Sequence, residues 1–193
     1  ALKTDPAIFI PIVVIYQSNS GVSSARNAGI RKAKTPFVLV LDGDDKLKPS
    51  YIEQVRKLLY EDASMVAASS WMHTFGVLDS VICPSGGNIS NFLTHNCCPA
   101  AHILRREIWE KSGGYDESMR SGFEDWDFFL SMLEAVPNAH IGIVPKPLID
   151  YRTAPASSNV KSMSKRLERM RFMIKKHYQS YQEHIEDVVL GME

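Results

Sequence analysis

Hydrophobic and polar positions follow two rhythms along this chain, one of period two or less and one of period near 3.6. "AIFIPIVVIYQ" (residues 7–17) is an almost unbroken apolar run rich in β-branched side chains. It predicts a strand, with Pro11 marking its edge or start. "SNSGVSS" supplies turn residues and a helix N-cap, placed at Ser23. In "ARNAGIRKAK" the small residues Ala25, Ala28 or Gly29, and Ala33 fall on one side, with Arg31, Lys32 and Lys34 outward. That pattern predicts a short helix whose small face packs on a sheet. "TPFVLVLDGDD" reads as a second strand, and its continuous apolar run suits burial on both faces. Strand, helix, strand in that order is one βαβ unit of a parallel sheet.

The same alternation of periods continues. "KPSYIEQVRKLLYED" carries Ile52, Val55, Leu58 and Leu59 at helical spacing, and "SMVAASSWMHTF" reads as a strand. "SGGNISNFLTHNCCPA" is irregular and low in charge, the composition of a binding loop or flap. "RREIWEKSGGYDE" predicts a short helix stopped at Gly113 and Gly114. "SGFEDWDFFLSMLEAV" starts a helix at its acidic end, where the helix dipole favours carboxylates. "HIGIVPKPLIDYR" predicts a strand pair and "TAPASSNV" a loop. From residue 161 the chain reads as helical, with Leu167, Met170, Ile174, Tyr178, Tyr181, Ile185 and Val188 as one apolar stripe.

Composition narrows the function. The 193 residues are 45% hydrophobic and 23% charged, enough for one good-sized core. Lys+Arg and Asp+Glu both number 22, so there is no basic excess of the kind that nucleic-acid binding needs. Three cysteines, Cys83, Cys97 and Cys98, make a poor disulfide framework and fit a reducing compartment. Cys97 and Cys98 with His95 and His102 match no standard zinc spacing and read as buried free thiols. No apolar run reaches bilayer-spanning length, and residues 1–11 lack the pattern of a secretion signal. These features predict a soluble or peripheral cytoplasmic protein. Residues 161–177 carry seven Lys/Arg against Glu168 alone. That segment either docks on an anionic membrane surface or packs on the domain with its basic face in water.

The chemistry concentrates in two acidic clusters. "VLVLDGDD" puts Asp42, Asp44 and Asp45 at the end of an apolar strand. Unpaired, such carboxylates repel one another and resist burial, so a cation is implied. In open α/β sheets, ligands bind beyond the carboxyl ends of strands. In extended geometry Asp42 and Asp44 point the same way and can share one target. Carboxylates suit Mg²⁺ or Mn²⁺ held together with substrate phosphates. A solvated acidic turn hinged at Gly43 is the alternative. An EF-hand is excluded because Lys46 and Leu47 stand where a ligand and a glycine are required. A haloacid-dehalogenase-type phosphatase stays a distant competitor, since Lys46 stands where it needs Thr or Val. The second cluster, "GFEDWDFF", holds Glu124, Asp125 and Asp127 around Trp126. A carboxylate there could serve as general base toward a hydroxyl, with an aromatic wall against a sugar face. It fits equally well a capped helix with Trp126 and Phe128 in the core.

Three segments in order resemble family 2 glycosyltransferases of the GT-A fold. They are "NSGVSSARNAGIRKAKTPFVLVLDGDDKLKPSYIE", "GGYDESMRSGFEDWDFFLSMLEA" and "LIDYRTAPASS". The resemblance implies a partial GT-A, Rossmann-like α/β domain with a mostly parallel sheet over residues 1–158. A C-terminal amphipathic helical segment would follow over 159–193. It also implies inverting, metal-dependent transfer of a sugar from a nucleoside-diphosphate sugar to an acceptor hydroxyl. Asp44 would hold Mn²⁺ or Mg²⁺, with Asp42 on the ion or the ribose and Asp45 beside them on the substrate side. Arg26 would lie on the nucleotide side, balancing the aspartates. Asp125 would be the base, with Glu124 and Trp126 shaping the acceptor site. The implied partners are a nucleotide sugar, foremost a UDP-sugar, and a glycan or lipid-linked acceptor of cell-envelope polysaccharide synthesis.

Two departures from the family pattern stand out. The strand ending in P-x-Y-N and the strand ending in Asp-Asp-Gly-Ser are not found in this sequence. Their loss would leave a sheet edge open to dimerisation and suggests a truncated, inactive interaction module as the alternative function. In addition, Ala154 stands where many members place a metal-binding His, leaving Asp44 and the diphosphate to hold an ion.

Overall fold

The two longest strands, β3 (Met65–Gly76) and β6 (His140–Thr153), run parallel through the centre of the sheet. The structure is a computed structural model and describes residues 11–120, 122–154 and 165–191. Before β3 come α1 (Val22–Lys32), β1 (Phe37–Val40), β2 (Lys46–Leu47) and α2 (Tyr51–Glu61). Between β3 and β6 lie β4 (Val81–Ile82), α3 (Ile89–Thr94), β5 (His102–Arg105), α4 (Arg106–Lys111) and α5 (Glu124–Glu134). Three short helices close the chain: α6 (Arg166–Lys176), α7 (Tyr178–Glu183) and α8 (Ile185–Leu190). The strand order is β1-β5-β3-β6-β2, with β4 hairpinned onto β3.

Successive residues of β5, Ile103 and Leu104, belong to two different apolar clusters. The sheet is therefore covered on both faces, as an α/β layer fold requires. On one face Tyr51, Val55 and Leu59 of α2 pack with Ala68, Ile103 and Ile149. On the other, Phe92 of α3 and Phe128, Phe129 and Met132 of α5 pack with Leu104 and Ile141. Met173, Tyr181 and Val188 of the C-terminal helices join that second cluster. Each such buried side chain contributes about 1.5–3 kcal/mol. The α5 seam thus fixes the acidic helix start and the C-terminal helices together.

Several expectations change. The α/β class holds, but the sheet is parallel only at β3–β6; every other pair is antiparallel. Residues 7–10 of the first expected strand lie outside the described residues. Residues 11–17 form no strand, and Ile12, Val13, Val14 and Tyr16 are exposed. A β-branched run becomes a strand only with a hydrogen-bonding neighbour, and no described strand pairs with it. The expected βαβ unit is consequently not formed among the described residues. β1 sits at the sheet edge and is covered on both faces, with Val38 and Val40 against one cluster and Phe37 and Leu39 against the other, though only Val40 is fully buried.

Other differences are local. Gly21 rather than Ser23 occupies the N-cap of α1, whose buried face is Ser23, Asn27 and Ile30. Ala25 and Gly29 point outward. In α2 the buried side is Tyr51, Val55 and Leu59, with Ile52 exposed. The irregular segment contains α3, closed by an Asn88–Asn91 capping box. The expected strand pair is one strand, β6, in which the register against β3 shifts between Ser70 and Trp71 opposite Val144 and Pro147. Proline cannot donate to a ladder, so Pro145 and Pro147 bulge the strand without ending it. The expected 153–160 loop falls mostly outside the described residues. In the C-terminal helices Met170 is half-buried while Leu167, Ile174, Tyr178 and Ile185 are exposed. Tyr181 and Val188 of the expected stripe are buried, and Arg169, Met173 and His177 complete the inward face.

Candidate active site

The acidic turn after β1 is held from two sides. Residues 42–45 do not continue as extended strand: the Asp45 N–H donates to the Asp42 carbonyl at 3.2 Å. This turn replaces the simple alternation expected of Asp42 and Asp44. The Asp45 carboxylate accepts the Arg152 backbone N–H at 2.9 Å, which ties the turn to the end of β6. Burial pushes the Asp45 carboxyl upward, against that hydrogen bond.

Helix α1 brings Arg26 to the turn, and Asn27 sets the helix in place. The Asn27 amide donates to the Tyr115 carbonyl at 2.8 Å and to Glu117 at 3.0 Å. Its oxygen accepts from the Trp109 indole at 2.9 Å and the Tyr115 N–H at 3.0 Å. Gly114, at φ 76°, passes so close that a Cβ there would meet Asn27 Oδ1 at 2.8 Å. A left-handed, side-chain-free residue is needed at that point. Sequence reasoning missed Asn27; its signal was a polar residue on the line from Ser23 to Ile30 that becomes the buried face.

The second acidic cluster enters on α5. Phe123, just before the helix, has φ 71° and ψ 4°. That left-handed conformation is uncommon for an aromatic residue and marks a locally strained turn. It starts the helix so that Glu124 and Asp125 face the acidic turn. Arg26 then joins the clusters: its Nη2 bonds Asp42 Oδ1 at 2.7 Å and its Nη1 bonds Asp125 Oδ1. Glu124 stands 3.8 Å from Nη1. The Arg26 side chain is 8% exposed and lies over the Tyr115 ring at 5.4 Å, and Tyr115 in turn stacks on Phe128. Burial raises the Asp125 carboxyl to about 7, against the pull of Arg26 and helped by Glu124 and Asp42. A carboxyl that gains and loses its proton near neutrality is suited to general-base work.

These groups line a cleft of 1020 Å³. Its lining includes Arg26, Asp42, Asp44, Asp45, Glu124 and Asp125, together with residues 82–85 and 95–100. The structure therefore brings together Arg26, Asp42, Asp44, Asp45, Glu124 and Asp125. Trp126 does not join them. It is 3% exposed, donates its indole N–H to the Phe92 carbonyl and packs in the core. Asp127 also turns away, toward Lys176 and His177. Cys97 and Cys98 are buried free thiols whose pKa burial raises, and Cys83 is exposed. Among the described residues no three His, Cys, Asp or Glu side chains converge as a metal cage.

A mixed α/β sheet with a DGDD turn and an acidic helix start on one cleft defines a GT-A-like fold, present here in part. The glycosyl transferase family 2 profile matches residues 5–113, more than half of the chain, and the chain belongs to that family. The match includes Arg26 and the aspartate turn and stops short of Asp125. The uncharacterized glycosyltransferase YwdF of Bacillus subtilis is 26% identical over 159 residues, 78% of this chain and 58% of YwdF. A chondroitin synthase of Pasteurella multocida is 26% identical over 133 residues, 66% of this chain and 14% of that protein. Among solved structures, S. aureus TarS 1–349 in complex with UDP-GlcNAc aligns with TM-score 0.65 at 14% identity, over 90% of this chain and 54% of that one. The complex of the same protein with UDP gives 0.60 at 17% identity, over 90% and 52%. The chain spans about half the length of YwdF and of TarS 1–349. No helix among the described residues is long and apolar enough to cross a membrane.

Proposed function

We propose that this chain carries the acidic, bond-making side of an inverting glycosyltransferase. Such an enzyme moves a sugar from a nucleoside-diphosphate sugar to an acceptor hydroxyl. One observation carries the reading: Arg26 clasps Asp42 and Asp125, residues 83 positions apart in sequence, at one cleft. Asp125 accepts the proton of the acceptor hydroxyl as that oxygen attacks the anomeric carbon. Glu124 flanks it on the acceptor side, and Arg26 orients its carboxylate. Attack from the face opposite the diphosphate inverts the anomeric centre.

Divalent-ion dependence is part of the proposal. Asp44 is exposed and Asp42 keeps an oxygen outside its Arg26 bond, so both offer the hard oxygen donors that Mg²⁺ or Mn²⁺ takes. With no three-ligand cage among the described residues, such an ion fits only with diphosphate oxygens completing its shell, the usual arrangement for these cations. When bound, it would offset charge on the departing diphosphate.

The TarS complexes make UDP-sugars the first donors to test, and the chondroitin synthase relative suggests a glycan among acceptors; a lipid-linked acceptor is the other. Exposed Arg166, Arg171 and Lys175 on α6 would support peripheral contact with an anionic membrane. Residues 1–158 are then taken as the transferase-like unit and 159–193 as a C-terminal segment whose described helices pack on it through Met173, Tyr181 and Val188, on the cytoplasmic side. Calorimetry of the full-length protein with UDP and Mn²⁺ tests the reading, followed by Asp125→Asn. We expect metal-dependent binding in both proteins and a turnover loss of about 10²- to 10⁴-fold in the variant. A folded protein that shows no metal-dependent heat would be the inactive interaction module instead.

A further inference from the structure

We propose that the outward face of α6 is a docking surface for an anionic membrane, with cations that meet lipid phosphates and an apolar row that enters the layer beside them. The proposal rests on the transferase reading above, whose peripheral membrane contact it makes specific. Leu167, Arg171, Ile174 and Lys175 fall within about 100° of the helix circumference. The buried Arg169 and Met173 lie on the opposite side. Leu167 is 77% exposed and Ile174 40%, and just past the helix end Tyr178 is 62% exposed.

The cations on this face lack counter-charges. Arg166, Arg171 and Lys175 are exposed, and Glu168 is the one acidic residue of α6. Arg171 and Lys175 form no ion pair among the described residues. They stand one turn apart, where like charges repel each other. A single exposed leucine is ordinary. An apolar row bracketed by unpaired cations on one helix face is the pattern of an interfacial helix. A second copy seated here would set like cations against one another in a two-fold contact. Nucleic acid could meet the cations, but Leu167 and Ile174 offer its bases no stacking surface. A lipid layer suits both sets: phosphates for the cations, acyl chains for the aliphatic row.

The inward side of the same helix is fastened to the start of α5. The guanidinium carbons of Arg166 and Arg169 lie 6.0 and 5.8 Å from the centre of the Phe123 ring, within reach of a cation–π contact. At the other end, Lys176 and His177 bond Asp127 at 2.8 and 3.1 Å. Phe123 immediately precedes Glu124 and Asp125. Contacts at both ends therefore join α6 to the helix start that supplies the proposed base, and they leave Arg171 and Lys175 to the outside. Docked through this face, α6 would separate the start of α5 from the lipid surface by roughly one helix diameter, about 10 Å.

The test is co-sedimentation of the full-length protein with vesicles. Phosphatidylcholine alone is compared with an equimolar mixture of phosphatidylglycerol and phosphatidylcholine. The proteins are wild type, a charge variant (Arg171→Glu with Lys175→Glu) and an apolar variant (Leu167→Gln with Ile174→Gln). Thermal unfolding confirms that the variants fold. Wild type is expected to bind the anionic vesicles at least about 10-fold more tightly than the neutral ones, and added salt should weaken that binding. The charge variant should lose about 10- to 100-fold in affinity for anionic vesicles and the apolar variant about 5- to 50-fold. Binding of UDP with Mg²⁺, measured without vesicles, should stay within about twofold in both. A wild type without preference for anionic vesicles, or a charge variant that binds them equally well, would overturn the docking face. So would an unaffected apolar variant, since charge alone would then suffice. A wild-type dimer that the apolar variant dissociates, with no vesicle binding, would give the face to a second copy instead. UDP binding without vesicle binding leaves the transferase reading standing; vesicle binding without UDP binding keeps the docking face and removes that reading.

Discussion

Asp125 and Asp127 lie two residues apart at the start of one helix, and they serve different ends. Two positions along an α-helix are about 200° around its axis, so the pair faces opposite directions. Asp125 looks into the cleft, shares Arg26 with Asp42 and Glu124, and has its carboxyl raised to about 7 by burial. Asp127 looks into the protein, with its side chain 1% exposed. It takes Lys176 at 2.8 Å and His177 at 3.1 Å. Lys176 also bonds Asp116 at 2.7 Å, and His177 bonds Glu134 at 2.9 Å. Both aspartates are paired with cations, yet one pair borders open space where a ligand can compete and the other is sealed by the α6–α7 junction. A charge cluster thus borders a cleft or locks a core according to what it faces, not according to its letters.

The largest expected effect separates the two aspartates. Asp125→Asn should abolish nearly all turnover while stability shifts by no more than about 1 kcal/mol. Asp127→Ala should do the reverse. It leaves Lys176 and His177 facing a buried gap and should cost about 3 kcal/mol by urea denaturation. Activity per folded molecule should stay near wild type. If Asp127→Ala instead removed turnover without loss of stability, the division between cleft and scaffold would be mistaken.

A smaller effect sharpens the buried side. Burial alone would lower the His177 pKa, but hydrogen bonds and charge from Asp127 and Glu134 carry it up from 6.5 to about 8. The sign follows directly. A base raised on folding stabilises the fold fully below its ordinary value, and that contribution is lost as pH rises through about 8. Stability should fall by up to about 2 kcal/mol between pH 6 and pH 9. His177→Gln should flatten that slope in chemical denaturation at a series of pH values. The smallest effect is at the surface. Lys57 and Glu61 pair at 3.6 Å with both side chains more than half exposed. Lys57→Ala should change stability by less than about 0.5 kcal/mol.

Much of this site can be read from the chain. The DGDD turn, the ARN segment and the EDWD helix start are local patterns, and the fold brings Arg26, Asp42, Asp44, Asp45, Glu124 and Asp125 to one cleft as expected. Trp126 shows where local reading stops. An aromatic among acidic residues suits a sugar wall or a core equally, and only the contact with Phe92 decides for the core. Asn27 was hidden for a similar reason. Its partners, Trp109, Tyr115 and Glu117, are more than 80 positions away. Of the C-terminal stripe only Tyr181 and Val188 are buried, since Arg169 and His177, polar residues that apolar spacing passes over, share the inward face.

What the sequence by itself determined is the set of elements whose signals are local. These are the β3 and α5 periodicities, the Gly113–Gly114 helix stop, and the acidic turn that calls for a cation. Backbone propensity and side-chain period act within a few residues, so they survive in one dimension. Tertiary structure decided the rest. It left residues 11–17 outside the sheet for want of a pairing strand, carried β6 through its prolines, and assigned Asp125 to the cleft and Asp127 to the interior. Those outcomes depend on which distant group arrives to accept a hydrogen bond or share a charge, and no spacing along the chain encodes that arrival.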